Sequence, residues 1–203
     1  MYFPMFVDMQ GKKCLIAGGG RVALRKAVMM LDFGMKVAVI APEILDEISD
    51  LNGIDIKKRC FEYTDLDGYD MVIAATDSHL LNRNISKKCL EKGIFINNVT
   101  EPEKGSFICP AYLRRKDMVA AFSSGVNNPV VAQFLKNQMA SFMTEELAEY
   151  AEYLGRMRDT IKNKVPAVEM RKKVYQELLD LCIREHRTPE DGEFLKIITT
   201  NQI

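Results

Sequence analysis

The sequence has only two histidines, His79 and His186, and none of its five cysteines stands in a C-x-x-C pair. Zinc sites draw on clusters of these residue types at short spacing, so no metal site is expected. Cys14, Cys60, Cys89, Cys109 and Cys182 are odd in number, which leaves at least one without an intramolecular partner, and all read most simply as reduced thiols. Net charge is lacking too, because 28 basic and 28 acidic side chains cancel. No global field then draws the chain to nucleic acid or to an anionic membrane. No apolar run approaches the ~18 residues of a membrane span. The opening MYFPMFVDMQGKK carries Pro4 and Asp8 with no basic stretch ahead of its apolar residues. That is unlike a secretory signal, and a cytoplasmic location is expected.

What is present is a repeating pattern of strands and helices. KCLIA (13–17) is nearly all apolar and breaks into Gly18-Gly19-Gly20, after which Val22, Ala23, Lys26, Ala27, Met30 and Leu31 recur at helical spacing up to Gly34. KVAVIAP (36–42) and YDMVIAAT (69–76) are apolar without alternation, as strands of a sheet covered on both faces must be. A short helix (44–51), an alternating strand (54–61), a helix ending at Gly93 and a strand IFINNV (94–99) complete the pattern. Strands alternating with helices predict an α/β fold, a doubly wound parallel sheet. Beyond it, 117–125 reads as a strand, and 127–163 as a long amphipathic helix with room for a break, opening near Pro129. Met139, Phe142, Met143, Leu147, Tyr150 and Leu154 form an apolar stripe that needs a partner surface, and the remainder is helical. The expected division is a nucleotide-binding domain (1–112), a small α+β dimerisation and substrate segment (113–147) and a C-terminal helical domain (148–203). The stripe predicts a homodimer.

Gly18-x-Gly20-x-x-Ala23 lies between a strand and a helix, the context in which this pattern binds a dinucleotide. Gly18 permits the turn, Gly20 lets a pyrophosphate approach the backbone, and Ala23 lets helix pack on strand. The N–H groups around Gly19, Arg21 and Val22 then face the phosphates. The usual acid after the second strand is missing, for that strand ends Ile40-Ala41-Pro42 with Glu43 beyond, and no basic residue stands ready for a 2′-phosphate. NAD is therefore expected rather than NADP, its ribose held by backbone at Ala41 and Pro42 or by Glu43. Ala75, Thr76 and Asp77 close the fourth strand at the cofactor end, although Thr76 and Asp77 also read as a helix N-cap pair.

Three features occur together: G-G-G-x-V-A-x-R-K at 18–26, N-x-x-x-x-P-x-x-x-x-F-x-x-P-A at 97–111, and the S-S-G-x-x-x-P turn at 123–129. Over roughly residues 3–140 the chain resembles the precorrin-2 dehydrogenases of sirohaem synthesis, including the dehydrogenase/ferrochelatase part of sirohaem synthases. The resemblance implies a Rossmann-type fold, oxidation of the tetrapyrrole precorrin-2 to sirohydrochlorin with NAD, and a homodimer. A carboxylate-rich substrate calls for cations and hydrogen-bond donors, for which Asn97, Asn98, Arg114, Arg115, Lys116, Ser123, Ser124, Asn127, Asn128 and Lys136 are the candidates. Thr100, Glu101 and Ser124 are the candidate catalytic residues. In bifunctional relatives an aspartate follows the paired asparagines as general base and aid to metal insertion, and this sequence has Thr100 there, with Glu101 displaced by one. A hydroxyl is neither a base near neutral pH nor a good ligand for a divalent ion. The departure implies a dehydrogenase working with a separate chelatase. The alternatives are a bifunctional enzyme using Glu101 or His79, and an NAD-sensing regulatory module.

Overall fold

The computed structural model describes residues 2–125 and 128–201. It divides into two units, Met1–Cys109 and Pro110–Ile203. In the first, β1 (Lys13–Ala17), β2 (Lys36–Ala41), β3 (Ile54–Lys58), β4 (Met71–Ala74) and β5 (Phe95–Asn98) form one sheet in the order β3-β2-β1-β4-β5. Every neighbouring pair is parallel. This is the doubly wound arrangement that the apolar runs predict.

Successive side chains of a strand point to opposite faces, and β1 divides accordingly. Cys14 and Ile16 pack with Ala23 and Ala27 of α1 (Arg21–Asp32), while Leu15 and Ala17 pack with Ile85 and Cys89 of α3 (His79–Lys92). Fully buried side chains such as Ile16 and Ile85 contribute about 1.5–3 kcal/mol each to the core. Ser78 caps α3 by accepting from the Leu81 amide at 3.2 Å. Gly93 ends that helix at φ +70°, a left-handed conformation that suits glycine. Because β2 lies on one side of β1 and β4 on the other, a crevice opens beyond their C-terminal ends, where such sheets bind ligands.

In the second unit, β6 (Ala111–Arg115) and β7 (Met118–Phe122) form an antiparallel hairpin. The sequence offers no strand at 111–115, where two arginines interrupt the apolar run. Pairing with β7 supplies what the segment's own pattern lacks. The expected long helix is three helices: α4 (Pro129–Ala140), α5 (Glu145–Arg156) and α6 (Arg158–Lys164). Thr144 makes the first break, its hydroxyl accepting from the Leu147 amide at 3.1 Å with Glu145 and Glu146 in the first turn. A short helix, α2 (Asp46–Ser49), belongs to the first unit, and α7 (Val168–Glu185) and α8 (Asp191–Thr200) complete the second.

The apolar stripe finds much of its partner within the chain. Leu147, Tyr150, Tyr153 and Leu154 cluster with Leu179 and Cys182 of α7, and Met143 is buried. Phe142 remains 72% exposed. The reason for expecting a second chain over α5 is thereby removed.

Candidate functional site

A cavity of about 780 Å3 lies at the C-terminal ends of β1, β2 and β4, within the ~300–1,000 Å3 range of small-molecule sites. Gly18, Gly19, Gly20, Ala41, Pro42, Glu43, Ala75, Thr76 and Asp77 line it, so the glycine turn and the ends of the second and fourth strands meet as the sequence predicts. Arg21 and Val22 stand in the first turn of α1, outside the lining, and Ala23 is fully buried in the core.

The three glycines differ in what surrounds them. A Cβ on Gly18 would lie 2.1 Å from the Ala75 carbonyl oxygen, on a backbone at φ +124°. One on Gly19 would lie 2.1 Å from the Glu43 carbonyl oxygen. These two glycines let the turn, the end of β4 and the segment after β2 approach one another. At Gly20 a Cβ would meet nothing within 4 Å, and φ is −90°. Neither protein packing nor backbone geometry requires glycine there. Gly20 is also the N-cap of α1, with no side-chain cap bond and no acid in the first turn. The positive end of the α1 dipole is thus left to meet an anion.

Sequence reasoning missed a second set of lining residues: Ile44, Leu45, Cys60, Phe61 and Leu81. They come from loops and helix starts whose positions depend on the folded sheet. The charges on the wall are all of one sign: Glu43, Asp46, Glu47 and Asp77 line the cavity without a lysine or arginine.

Beyond β5 the polar residues join in a network centred on Asn82. Its Oδ1 accepts from the Thr76 amide at 3.1 Å and hydroxyl at 2.7 Å, and its Nδ2 donates to the Thr76 carbonyl at 2.9 Å and to Thr100 Oγ1 at 3.4 Å. Asn98 Oδ1 accepts from the Thr100 hydroxyl at 2.8 Å and from the amides of Thr100 and Glu101 at 3.0 and 2.9 Å, while its Nδ2 donates to Ser86 Oγ at 3.0 Å. Both asparagines are fully buried. Asn98 is therefore corrected from a substrate contact to the residue that shapes the turn, since its amide is spent inside the protein. Asn97 is 5% exposed; its Nδ2 donates to the Phe107 carbonyl at 3.1 Å, and its Oδ1 has no partner among the described residues. Thr76 does not cap α3, because Ser78 does. Helical spacing could have revealed the network: Asn82, Ile85, Ser86 and Cys89 form one buried face of α3.

Glu101 is not a free carboxylate. Arg83 grips it with two bonds, which hold it below the ordinary glutamate range. In this state it is a poor proton acceptor.

The other substrate candidates belong to the second unit. Arg115 Nε lies 3.1 Å from Glu145, and Lys116 Nζ lies 2.8 Å from Glu152. Two cations of the basic run are thus matched to acids of α5, which corrects the expectation that the whole run is available to carboxylates. Arg114 Nε donates to the Lys116 carbonyl at 3.0 Å. Lys136 Nζ sits 6.0 Å from the centre of the Tyr112 ring. Ser123 Oγ accepts from the Gly125 amide at 3.3 Å, and Ser124 Oγ donates to the Asn128 carbonyl. Asn128 caps α4 through a 3.1 Å bond from the Val130 amide. Asn127 lies outside the described residues.

A family profile described as "Putative NAD(P)-binding" matches residues 5–111. A siroheme synthase of Ectopseudomonas mendocina (strain ymp) is 36% identical over 198 residues, 96% of this chain and 43% of the relative. A siroheme synthase of Thioalkalivibrio sulfidiphilus (strain HL-EbGR7) is 34% identical over 187 residues, 91% of this chain and 38% of the relative. The chain thus spans about two fifths of the length of these curated relatives. Among solved structures, that of SirC, precorrin-2 dehydrogenase, covers all of this chain and 99% of its own, with a TM-score of 0.70 at 20% identity, a likeness of fold. With a parallel sheet, a bare helix end at Gly20 and more than half of its length under one family profile, the chain belongs to the putative NAD(P)-binding family.

Proposed function

We propose that this protein catalyses the NAD-dependent dehydrogenation of precorrin-2 to sirohydrochlorin in sirohaem synthesis. The observation that carries the reading is the cavity at the glycine turn, in a chain whose sequence follows siroheme synthases over nearly its whole length. The residues present fit a dinucleotide. Open space above Gly20 and the uncapped N-terminus of α1 receive a pyrophosphate, and Ile44, Leu45 and Phe61 offer apolar wall. Glu43, Asp46, Glu47 and Asp77 repel a 2′-phosphate, and no lining cation offsets them, which favours NAD over NADP.

When bound, NAD accepts a hydride from the reduced macrocycle. The chain's own contribution is placement. Asn82 ties the Thr76 segment to Thr100, and Asn98 fixes the turn that carries Thr100 and Glu101. Thr100 offers a hydroxyl and Glu101 an ion-paired carboxylate, so metal insertion is assigned to a separate chelatase. Lys136 remains a candidate to meet substrate carboxylates.

The homodimer is kept on a different surface from the stripe. Val130, Val131, Phe134 and Leu135 of α4 are 71, 46, 58 and 42% exposed. Apolar side chains grouped in this way on one short helix suit an interface between copies.

The test is to give the purified protein precorrin-2 with NAD and follow NADH and sirohydrochlorin together. Stoichiometric formation of both is expected. NAD binding without turnover would replace the enzyme with an NAD-sensing module.

A further inference from the structure

The segment 156–173 holds seven basic residues, Arg156, Arg158, Lys162, Lys164, Arg171, Lys172 and Lys173, against two acids, Asp159 and Glu169, in a chain of zero net charge. Four of these cations, Arg158, Lys162, Arg171 and Lys172, line one groove of about 490 Å3 between α6 and α7, together with Val168 and Tyr175. No acid lines it. Elsewhere in the same unit Arg115, Lys116 and Arg187 each lie against a glutamate. Arg158, Lys162 and Lys172 have no ion-pair partner among the described residues.

Holding like charges around one concavity is unfavourable. The i,i+4 pair Arg158 and Lys162 repels along α6. The Arg171 guanidinium donates to the Pro166 carbonyl at 3.1 Å through Nη2, which ties this cation to the groove.

We propose that the groove between α6 and α7 binds a small polyanion, a molecule with two or more phosphate or carboxylate groups on a compact skeleton. Arginine forks and lysine point charges suit both kinds of group. Val168 and Tyr175 give the skeleton an apolar wall. The site lies wholly in the helical unit and is independent of the dehydrogenase reading.

The experiment is calorimetry on the full chain with pyrophosphate and with citrate, at matched ionic strength and with NAD at saturation so that the glycine turn is not the site measured. One-to-one binding of at least one anion is expected, and which one binds identifies the phosphate or the carboxylate source. The combined Arg158→Gln and Lys172→Gln variant should weaken it by about tenfold or more. Lys162→Gln alone should weaken it in the same direction, and NAD affinity should stay unchanged in both. Saturable binding by neither anion would overturn the proposal. Binding undiminished in both variants would do the same, as would binding only to a long polyanion such as heparin.

Discussion

Arg83 reaches across from α3 to hold Glu101, its Nε 2.9 Å from Oε2 and its Nη2 2.5 Å from Oε1. The pair depresses the folded-state pKa of Glu101, chiefly through the Arg83 hydrogen bonds. A depressed carboxylate contributes stability that is complete above its unfolded pKa and is lost as pH falls through the folded one. Carbon-detected NMR titration should place Glu101 below ordinary glutamates in the wild type and return it to their range in Arg83→Gln. An unchanged Glu101 titration in that variant would show the ion pair to be absent in solution.

The chelatase assignment can be tested at the neighbouring position. Given sirohydrochlorin and ferrous or cobalt ion, the wild type should insert metal slowly and Thr100→Asp faster, because a positioned acid or base is worth about 10²–10⁴-fold in rate. Rapid insertion by the wild type that disappears in Glu101→Gln would identify Glu101 as the working carboxylate and make the enzyme bifunctional.

The glycine turn separates structural from binding roles. Gly18→Ala forces a Cβ to within 2.1 Å of the Ala75 carbonyl and should lower stability by roughly 1–3 kcal/mol or more in denaturant titration. Gly20→Val should keep the melting temperature near that of the wild type but weaken NAD binding by about tenfold or more. If Gly20→Val instead unfolds the protein and leaves affinity intact, the roles are reversed.

Asn82→Leu strands the Thr76 and Thr100 groups that it serves, at about 1–3 kcal/mol for each buried group left unsatisfied. Both destabilisation and a raised KM for NAD are expected. A loss of stability with KM unchanged would confine Asn82 to the core.

Much of the first unit can be read from sequence because its apolar runs and glycines are local signals. β1, β2, β4 and the Gly18 turn need no tertiary information to be found. β6 is hidden because its identity comes from pairing with Met118–Phe122, and Arg114 and Arg115 argue against a strand when taken alone. The site residues divide in the same way. Gly20 announces itself, whereas the partnership of Arg83 with Glu101 joins positions 18 residues apart and appears only once α3 lies beside the end of β5.

The dimer prediction rests on α4. Phe134→Glu places a charge among Val130, Val131 and Leu135 and should shift sedimentation from dimer to monomer at micromolar concentration. A wild type that sediments as a monomer removes the interface altogether.

Of the five thiols, Cys14, Cys89 and Cys182 are buried, and burial pushes Cys89 up to about 12, so these stay protonated and unreactive. Cys60 is exposed and lines the cavity at the glycine turn. The chain therefore carries a native chemical reporter: an alkylating dye should mark Cys60 first, and the rate of labelling should fall as the cavity fills, giving occupancy without an engineered probe.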